Sequence, residues 1–561
     1  MEGAAVDVSD VALFPAKVDG VVLILGAVIL VVLVIRRQLL ASPRWVGWTL
    51  AGIVAAGAVI RALISCNVQM EGVWANARVP LLADLVFGGA ILGAISYHTP
   101  IYLTEVIFAT NLVLAAASPL ILFAHAEFLL RDHRCALAAA AILALLPIHI
   151  RFSYSDVGLI QSVAGCSFTF VVLYVALTDA SRFWRTVGFL VLPVAATAMY
   201  RMRQENVVFY VLDLSAIAVV CGRGTPWRRA LLAFGLLSIA AVPAFLGTRA
   251  YPGSDWSQMA LGALPGTAVT FLDPVYNTMV NPCITPPVIV ALAIAGALRL
   301  LRLGERRRCL FLVGWFVCFF AAQSTVRPYT VAMQARYHLQ LVTPLVLLAA
   351  AAAPSVWALP RSVRAVIVCL VVSAPLLHLG FERDINYYEM REFEFLTALR
   401  AHIPTGCTVL EFQPPRHFGD TPDSRVTRVA TVLHNGAVET VWQVVPSGRL
   451  DPVSDEEEQV PEALQAISNP PACLMVYQGL TCQSHRPLLL PMAESCAALH
   501  RELALFPVAE SRFRARGYDM AGLVGRLHDW NGTTISPPGV LEGAEVHLAL
   551  YRVDGRGPLG R

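Results

Sequence analysis

The chain is 561 residues long, 57% hydrophobic and only 14% charged, with a mean hydropathy of +0.62. That composition excludes a water-soluble globule, because the apolar residues outnumber what one interior can hide, and it leaves a lipid bilayer as the adequate solvent. The net charge of +3 comes from bases spread over short loops rather than from one field, so nothing points to nucleic acid as a partner.

A helix that crosses a hydrocarbon core of about 30 Å needs about 20 apolar residues. In chain order, runs of this kind occur at 18–35, 46–64, 102–130, 135–150, 157–177, 187–200, 207–220, 231–247, 288–301, 310–322, 339–353 and 363–379. About twelve helices are therefore expected, in a mainly α, polytopic bundle over residues 1–380, with a second domain over 381–561. Acidic residues (Glu2, Asp7, Asp10) precede the first run and no small-residue cleavage site follows it, so that run is expected to be retained.

Orientation follows from the arginines, since basic residues stay on the cytoplasmic side. Arg36, Arg37 and Arg44 lie in the first connection, Arg131 and Arg134 in the third, and Arg182 and Arg185 in the fifth. Arg223, Arg228 and Arg229 occupy the seventh, Arg306 to Arg308 the ninth, and Arg361 and Arg364 the eleventh. All odd connections are thus cytoplasmic, and the N-terminus and the C-terminal domain are expected outside. Lys17 is the only lysine, a bias that reads as genomic composition and weakens arguments from arginine abundance. Cys135, Cys166, Cys221, Cys309, Cys318 and Cys369 fall in or beside apolar runs, where cysteine is a small buried hydrophobe. Cys407, Cys473, Cys482 and Cys496 form an even set in the polar part, which suits disulfides in an oxidising compartment. No zinc-site spacing is present.

Two outer connections are long, at 66–100 and 249–287, and a bundle without work at its outer face needs neither. Beyond residue 387 the expected elements are a helix at 392–402, strands at 408–412, 429–433, 441–445 and 474–477, a helix at 497–505, and strands around Phe513 and at 546–551. The alternation suggests a small extracytoplasmic α/β domain. It contains no phosphate loop or nucleophile elbow.

Four segments, in order, resemble the bacterial members of the GT-C class of polytopic glycosyltransferases, among them the protein O-mannosyltransferases and the aminoarabinose transferases of lipid A modification. Tyr97-His98-Thr99-Pro100-Ile101-Tyr102 is similar to the family's His-Pro-Pro-Leu-Tyr element after its first long outer loop. Leu146-Pro147-Ile148-His149-Ile150-Arg151-Phe152-Ser153 resembles its Ser-Pro outer turn. Arg201-Met202-Arg203-Gln204-Glu205-Asn206 resembles an Arg-x-Glu at a helix start, and Ala335-Arg336-Tyr337-His338 its Arg-Tyr before the late helices. The resemblance covers residues 61–380 and rests on order and topology rather than on any one motif.

What it implies is transfer of a sugar from a polyprenyl-phosphate carrier to an acceptor at the outer face, in the cytoplasmic (inner) membrane, with the C-terminal domain periplasmic. It points to Glu71 as the acidic residue of the first long loop. The chain departs from the family in having no Asp-Asp or Asp-Glu pair there, and in one extra helix before the core. The acceptor, whether glycan, lipid or protein, is not indicated.

The residues themselves suit that chemistry. Transfer to a hydroxyl needs a carboxylate to take the proton, or a divalent metal to stabilise the leaving phosphate, and Glu71 lies where substrate would approach; otherwise it is a solvated loop carboxylate. Phosphate departure needs cationic donors near the outer boundary. Arg201, Arg203, Arg327 and Arg336, with Tyr337 beside the last, are placed for this, against snorkelling to the headgroups. Glu205 is an ion-pair partner for Arg203 or a substrate contact. His98 and His149 are hydrogen-bonding candidates for sugar or phosphate, or else satisfied interfacial histidines. A transporter or flippase competes with the transferase, although neither an internal repeat nor a mid-span acidic cluster is found; a catalytically silent protein on the same scaffold is the third reading.

Overall fold

The computed structural model describes residues 42–64, 103–153, 159–201, 206, 208–221, 225–249, 285–324, 338–385, 395, 398–399, 402, 404, 407–412, 426–428, 438–444, 474–479, 500, 504–514 and 545–553. They fall into two compact units: described residues 42–64 and 106–380 belong to the first, and 103–105 with those from 381 onward to the second.

The first unit is helical. Its described helices are α1 (Arg44–Ile64), α2 (Leu103–Leu130), α3 (His133–Leu145), α4 (Pro147–Arg151), α5 (Leu159–Thr178), α6 (Arg182–Arg201) and α7 (Val208–Val220). They continue with α8 (Trp227–Arg249), α9 (Pro287–Arg302), α10 (Arg306–Ser324), α11 (Leu339–Ala351), α12 (Ala353–Trp357) and α13 (Arg361–Ile385). Every expected run from residue 46 onward is helical where it is described; the run at 18–35 lies outside the described residues. One run is broken. Residues 135–150 form two helices because Pro147 pushes Leu146 out of the helical region, to φ −74° and ψ 118°.

Packing separates inner from outer helices. All thirteen residues of α11 are buried, the mark of a helix surrounded by protein on every side. By contrast α8, α10 and α13 leave Leu231, Phe234, Ile239, Leu310, Val317, Val366 and Leu370 exposed. A bundle apolar on both its interior and its exterior is stable only in lipid. Four described segments, Arg44–Leu63, Asn111–Leu130, Ile160–Thr178 and Leu339–Trp357, are long and apolar enough to cross a membrane. Since lipid and protein interior are equally apolar, helix contact depends on close fit at small residues. At Gly296 of α9 an added Cβ would lie 1.8 Å from the Leu348 carbonyl oxygen of α11, and at Gly188 of α6 it would lie 2.8 Å from the Ala176 nitrogen of α5. Cys135, Cys166 and Cys309 are buried as expected, but Cys318 and Cys369 are exposed. They sit on outward apolar faces, where lipid accepts a thiol as readily as the interior does.

The arginine-rich turns gather at one end of this unit. Arg299 Nη1 donates to the Ala351 carbonyl (2.9 Å) and Arg229 Nη1 to that of Leu177 (3.4 Å). Arg308 lies near Arg131 and Tyr174, and Arg299 near Cys135. The starts of α3, α8 and α10 and the ends of α2, α5, α9 and α11 therefore share that end.

The second unit is built on a six-stranded mixed sheet in the order β2-β3-β1-β4-β6-β5. The strands are β1 (Cys407–Phe412), β2 (Val426–Arg428), β3 (Val438–Val444), β4 (Leu474–Gln478), β5 (Leu505–Arg514) and β6 (Glu545–Val553). β1 runs parallel to β3 and β4, while β2/β3, β4/β6 and β5/β6 are antiparallel. Met475, Val476 and Tyr477 of β4 and Leu548, Ala549 and Leu550 of β6 are buried. Strands at 408–412, 441–445, 474–477 and 546–551 match the sequence reading; 429–433 lies outside the described residues. The helix expected over 497–505 overruns, because Leu505 already pairs with Val553 in the β5/β6 ladder, and Pro507 has no N–H to extend a helix.

Candidate functional site

The break at Pro147 creates the most unusual local chemistry in the helical unit. Proline has no N–H to offer the Leu143 carbonyl, and the extended Leu146 turns the chain away from that of Ala144. Open carbonyls inside a membrane cost several kcal/mol, on the order of a lost hydrogen bond in hydrocarbon. Arg61, near the end of α1, supplies the missing donors. Its Nη2 donates to Leu143 O at 3.1 Å and its Nη1 to Ala144 O at 3.0 Å and to Gly57 O at 2.9 Å. A Cβ on Gly57 would stand 3.1 Å from both Arg61 Nη1 and the Ala144 Cβ, so that glycine gives the guanidinium its room.

The same Nη2 meets His149 Nδ1 on α4 at 2.6 Å. A guanidinium only donates, so Nδ1 accepts and the imidazole carries its proton on Nε2. Arg61 and His149 are both fully buried, and His149 Nε2 and Arg61 Nε have no hydrogen-bond partner. All four bonds of Arg61 go to neutral acceptors. Arg151, also buried, lies 5.4 Å from the Phe152 ring centroid, and Ser153 Oγ closes the turn by donating to Ile150 O.

A second polar cluster is centred on Asn206, between α6 and α7. Its Nδ2 donates to Ser162 Oγ and to Met199 O, and its Oδ1 accepts from Gln340 Nε2, each at 2.9 Å. Alongside, Gln161 Nε2 donates to Asn111 Oδ1 at 2.9 Å. Tyr200 OH donates to Asp213 Oδ2 at 2.7 Å, and Asp213 is the one buried carboxylate among the described residues. Except for Asn111 and Asp213, which lie further along α2 and α7, these groups sit near the end of α1, α3 and α6 and the start of α5 and α11, the end of the bundle opposite the basic turns.

Of the residues singled out by sequence, His149 is the one whose surroundings are described: it is buried, with Nδ1 hydrogen-bonded and Nε2 without a partner. Arg201 closes α6, with its side chain outside the described residues. Glu71, His98, Arg203, Glu205, Arg327, Arg336 and Tyr337 also lie outside them. Arg61, Asn111, Gln161, Tyr200, Asp213 and Gln340 were not singled out, although each is a polar residue inside an apolar run, which is itself a signal of function or of a specific partner. No group of three or more potential metal ligands occurs among the described residues.

No family model matches the chain and no curated protein is similar to it in sequence. Among solved structures, ArnT from Cupriavidus metallidurans bound to undecaprenyl phosphate is similar at 12% identity over 91% of this chain and 98% of its own, with a TM-score of 0.47. The same protein in the apo state gives 13% identity, the same coverage and a TM-score of 0.45. The Archaeoglobus fulgidus oligosaccharyltransferase, in complex with zinc and sulfate, gives 11% identity over 82% of this chain and 71% of its own, with a TM-score of 0.39. Likenesses of this size assign the chain neither an activity nor a ligand.

Proposed function

We propose that the protein is a polytopic membrane glycosyltransferase that moves a sugar from a polyprenyl-phosphate carrier to an acceptor at the outer face of the cytoplasmic membrane. Its C-terminal unit then lies on the periplasmic side. One observation carries the reading: hydrogen-bonding groups, a fully buried guanidinium among them, are concentrated at the end of the bundle opposite the arginine-rich turns. Basic turns are retained in the cytosol, which makes the polar end the outer one. A departing phosphate needs positive, desolvated donors where charge accumulates, and Arg61 places a guanidinium at that end while it caps the broken helix. Glu71 is assigned as the base for the acceptor hydroxyl, with His98, Arg201, Arg203, Glu205, Arg327, Arg336 and Tyr337 as substrate contacts.

The test is turnover of a polyprenyl-linked sugar in membranes containing the protein. Glu71→Gln should abolish turnover at unchanged expression; full retained activity would remove Glu71 from the assignment. Membrane-impermeant labelling of cysteines placed at position 71 and native at 473 should report the same compartment, and opposite compartments would end the reading. A transporter or flippase is the second reading, and the observation on its side is Asp213, a carboxylate inside a span and held by one tyrosine. Movement of the carrier-linked sugar across the bilayer without cleavage would favour it.

A further inference from the structure

We propose that His149 is a fixed, one-way hydrogen-bond donor for a phosphate oxyanion, and that Arg61 is the positioning residue that fixes it. The proposal rests on the reading above only for the identity of the carrier; the site itself stands on the local geometry.

Three facts lead there. Arg61 Nη2 donates to His149 Nδ1 at 2.6 Å, so the ring offers an N–H at Nε2 and has no lone pair left with which to take a proton. His149 cannot serve as a base while this contact holds. That Nε2–H is buried and has no partner, which in a membrane interior is a cost that a ligand oxygen removes.

Finally, the charge is not balanced. The carbonyl end of α3 carries about half a negative charge, which offsets part of the Arg61 cation, and the remaining acceptors around it are neutral. A sugar hydroxyl would satisfy the N–H but leave that residual charge; an oxyanion answers both. Because Nδ1 accepts from a cation, the imidazole is polarised toward Nε2, and its N–H is a stronger donor than an isolated histidine's. The Leu146–Pro147 break serves the same end, since it frees the carbonyls that hold Arg61 and turns α4 so that His149 reaches it.

The experiment uses full-length protein in lipid nanodiscs with 15N-labelled histidine. Among the histidine signals in solid-state NMR, a set with protonated Nε2 and bare Nδ1 should disappear in His149→Gln. Titration with geranyl phosphate should shift that Nε2 resonance saturably, geraniol should not, and His149→Phe should bind geranyl phosphate about tenfold more weakly. His149→Gln, which keeps an N–H, should lose less. Arg61→Lys should leave a mixture of the two tautomers, an effect that a purely structural arginine would not produce.

If inorganic phosphate shifts the resonance as effectively as geranyl phosphate, the oxyanion site stands and its ligand is the free ion. A protonated Nδ1 in the ring whose signals His149→Gln removes would overturn the proposal. So would a resonance unmoved by either phosphate, or unchanged affinity in His149→Phe. Loss of the transferase reading leaves these readouts untouched, because none of them depends on sugar turnover.

Discussion

Replacing Arg61 by methionine keeps the length and apolar stem of the side chain and removes its four hydrogen bonds. Gly57 O retains its place in the α1 backbone ladder, and Leu143 O retains a long bond from Leu146 N at 3.4 Å, so the uncompensated losses fall on Ala144 O and His149 Nδ1. Each orphaned acceptor costs about 1–3 kcal/mol, a gross loss of roughly 2–6 kcal/mol. Relief from burying a cation acts in the other direction, because apolar replacements of buried ions recover part of their desolvation. The net expectation is a loss of about 3 kcal/mol, with Arg61→Lys between the two since one ammonium cannot span carbonyls and imidazole together. Reversible unfolding in detergent by steric trapping would measure it. An Arg61→Met protein within about 0.5 kcal/mol of the native one would refute the view that the guanidinium caps the broken helix.

Further perturbations test other parts of the structure. Gly296→Ala should destabilise the bundle by about 3 kcal/mol or more, because backbone oxygen rather than a movable side chain blocks the new Cβ. Gly314→Ala in α10, with nothing within 4 Å, should be neutral or gain up to about 1 kcal/mol of helix propensity; thermal melts in detergent compare the two. Asn206→Leu should cost about 2 kcal/mol by taking the acceptor from the Gln340 amide, and Gln340→Leu added to it should restore part of the loss, because it removes that orphaned donor. In the sheet unit, burial and then the neighbouring His547 hold the His500 imidazole below its ordinary value of 6.5. The unfolded chain therefore takes up this proton first as pH falls, so the contribution of His500 to stability is fully present above about pH 6.5 and is lost as pH falls below it. His500→Gln should flatten that dependence in unfolding monitored at several pH values, and an unchanged slope would exclude His500 as its source.

How much was readable beforehand follows from where each kind of information lies. The break at 146–147 is written in one proline, and the strands at β1, β3, β4 and β6 in short β-branched and aromatic runs. The helix that was expected to end at Leu505 failed because Leu505 to Val508 is apolar at either period, and only its pairing with β6 chooses strand. The polar site was missed for a related reason. Attention to arginines in loops passes over Arg61, which sits in an apolar run and has its partners at Leu143, Ala144 and His149, more than eighty residues away.

By itself, then, the sequence determined the solvent, the positions of the helices and the alternation of basic connections, because transfer from water to lipid is summed residue by residue and needs no knowledge of neighbours. Only the tertiary structure decided that α11 lies inside while α13 faces outward, that Gly296 is indispensable and Gly314 is not, and that His149 can only donate. Those properties belong to pairs of groups brought together from distant parts of the chain, and hydrogen bonds and close packing act at distances of a few ångströms that no one-dimensional pattern specifies.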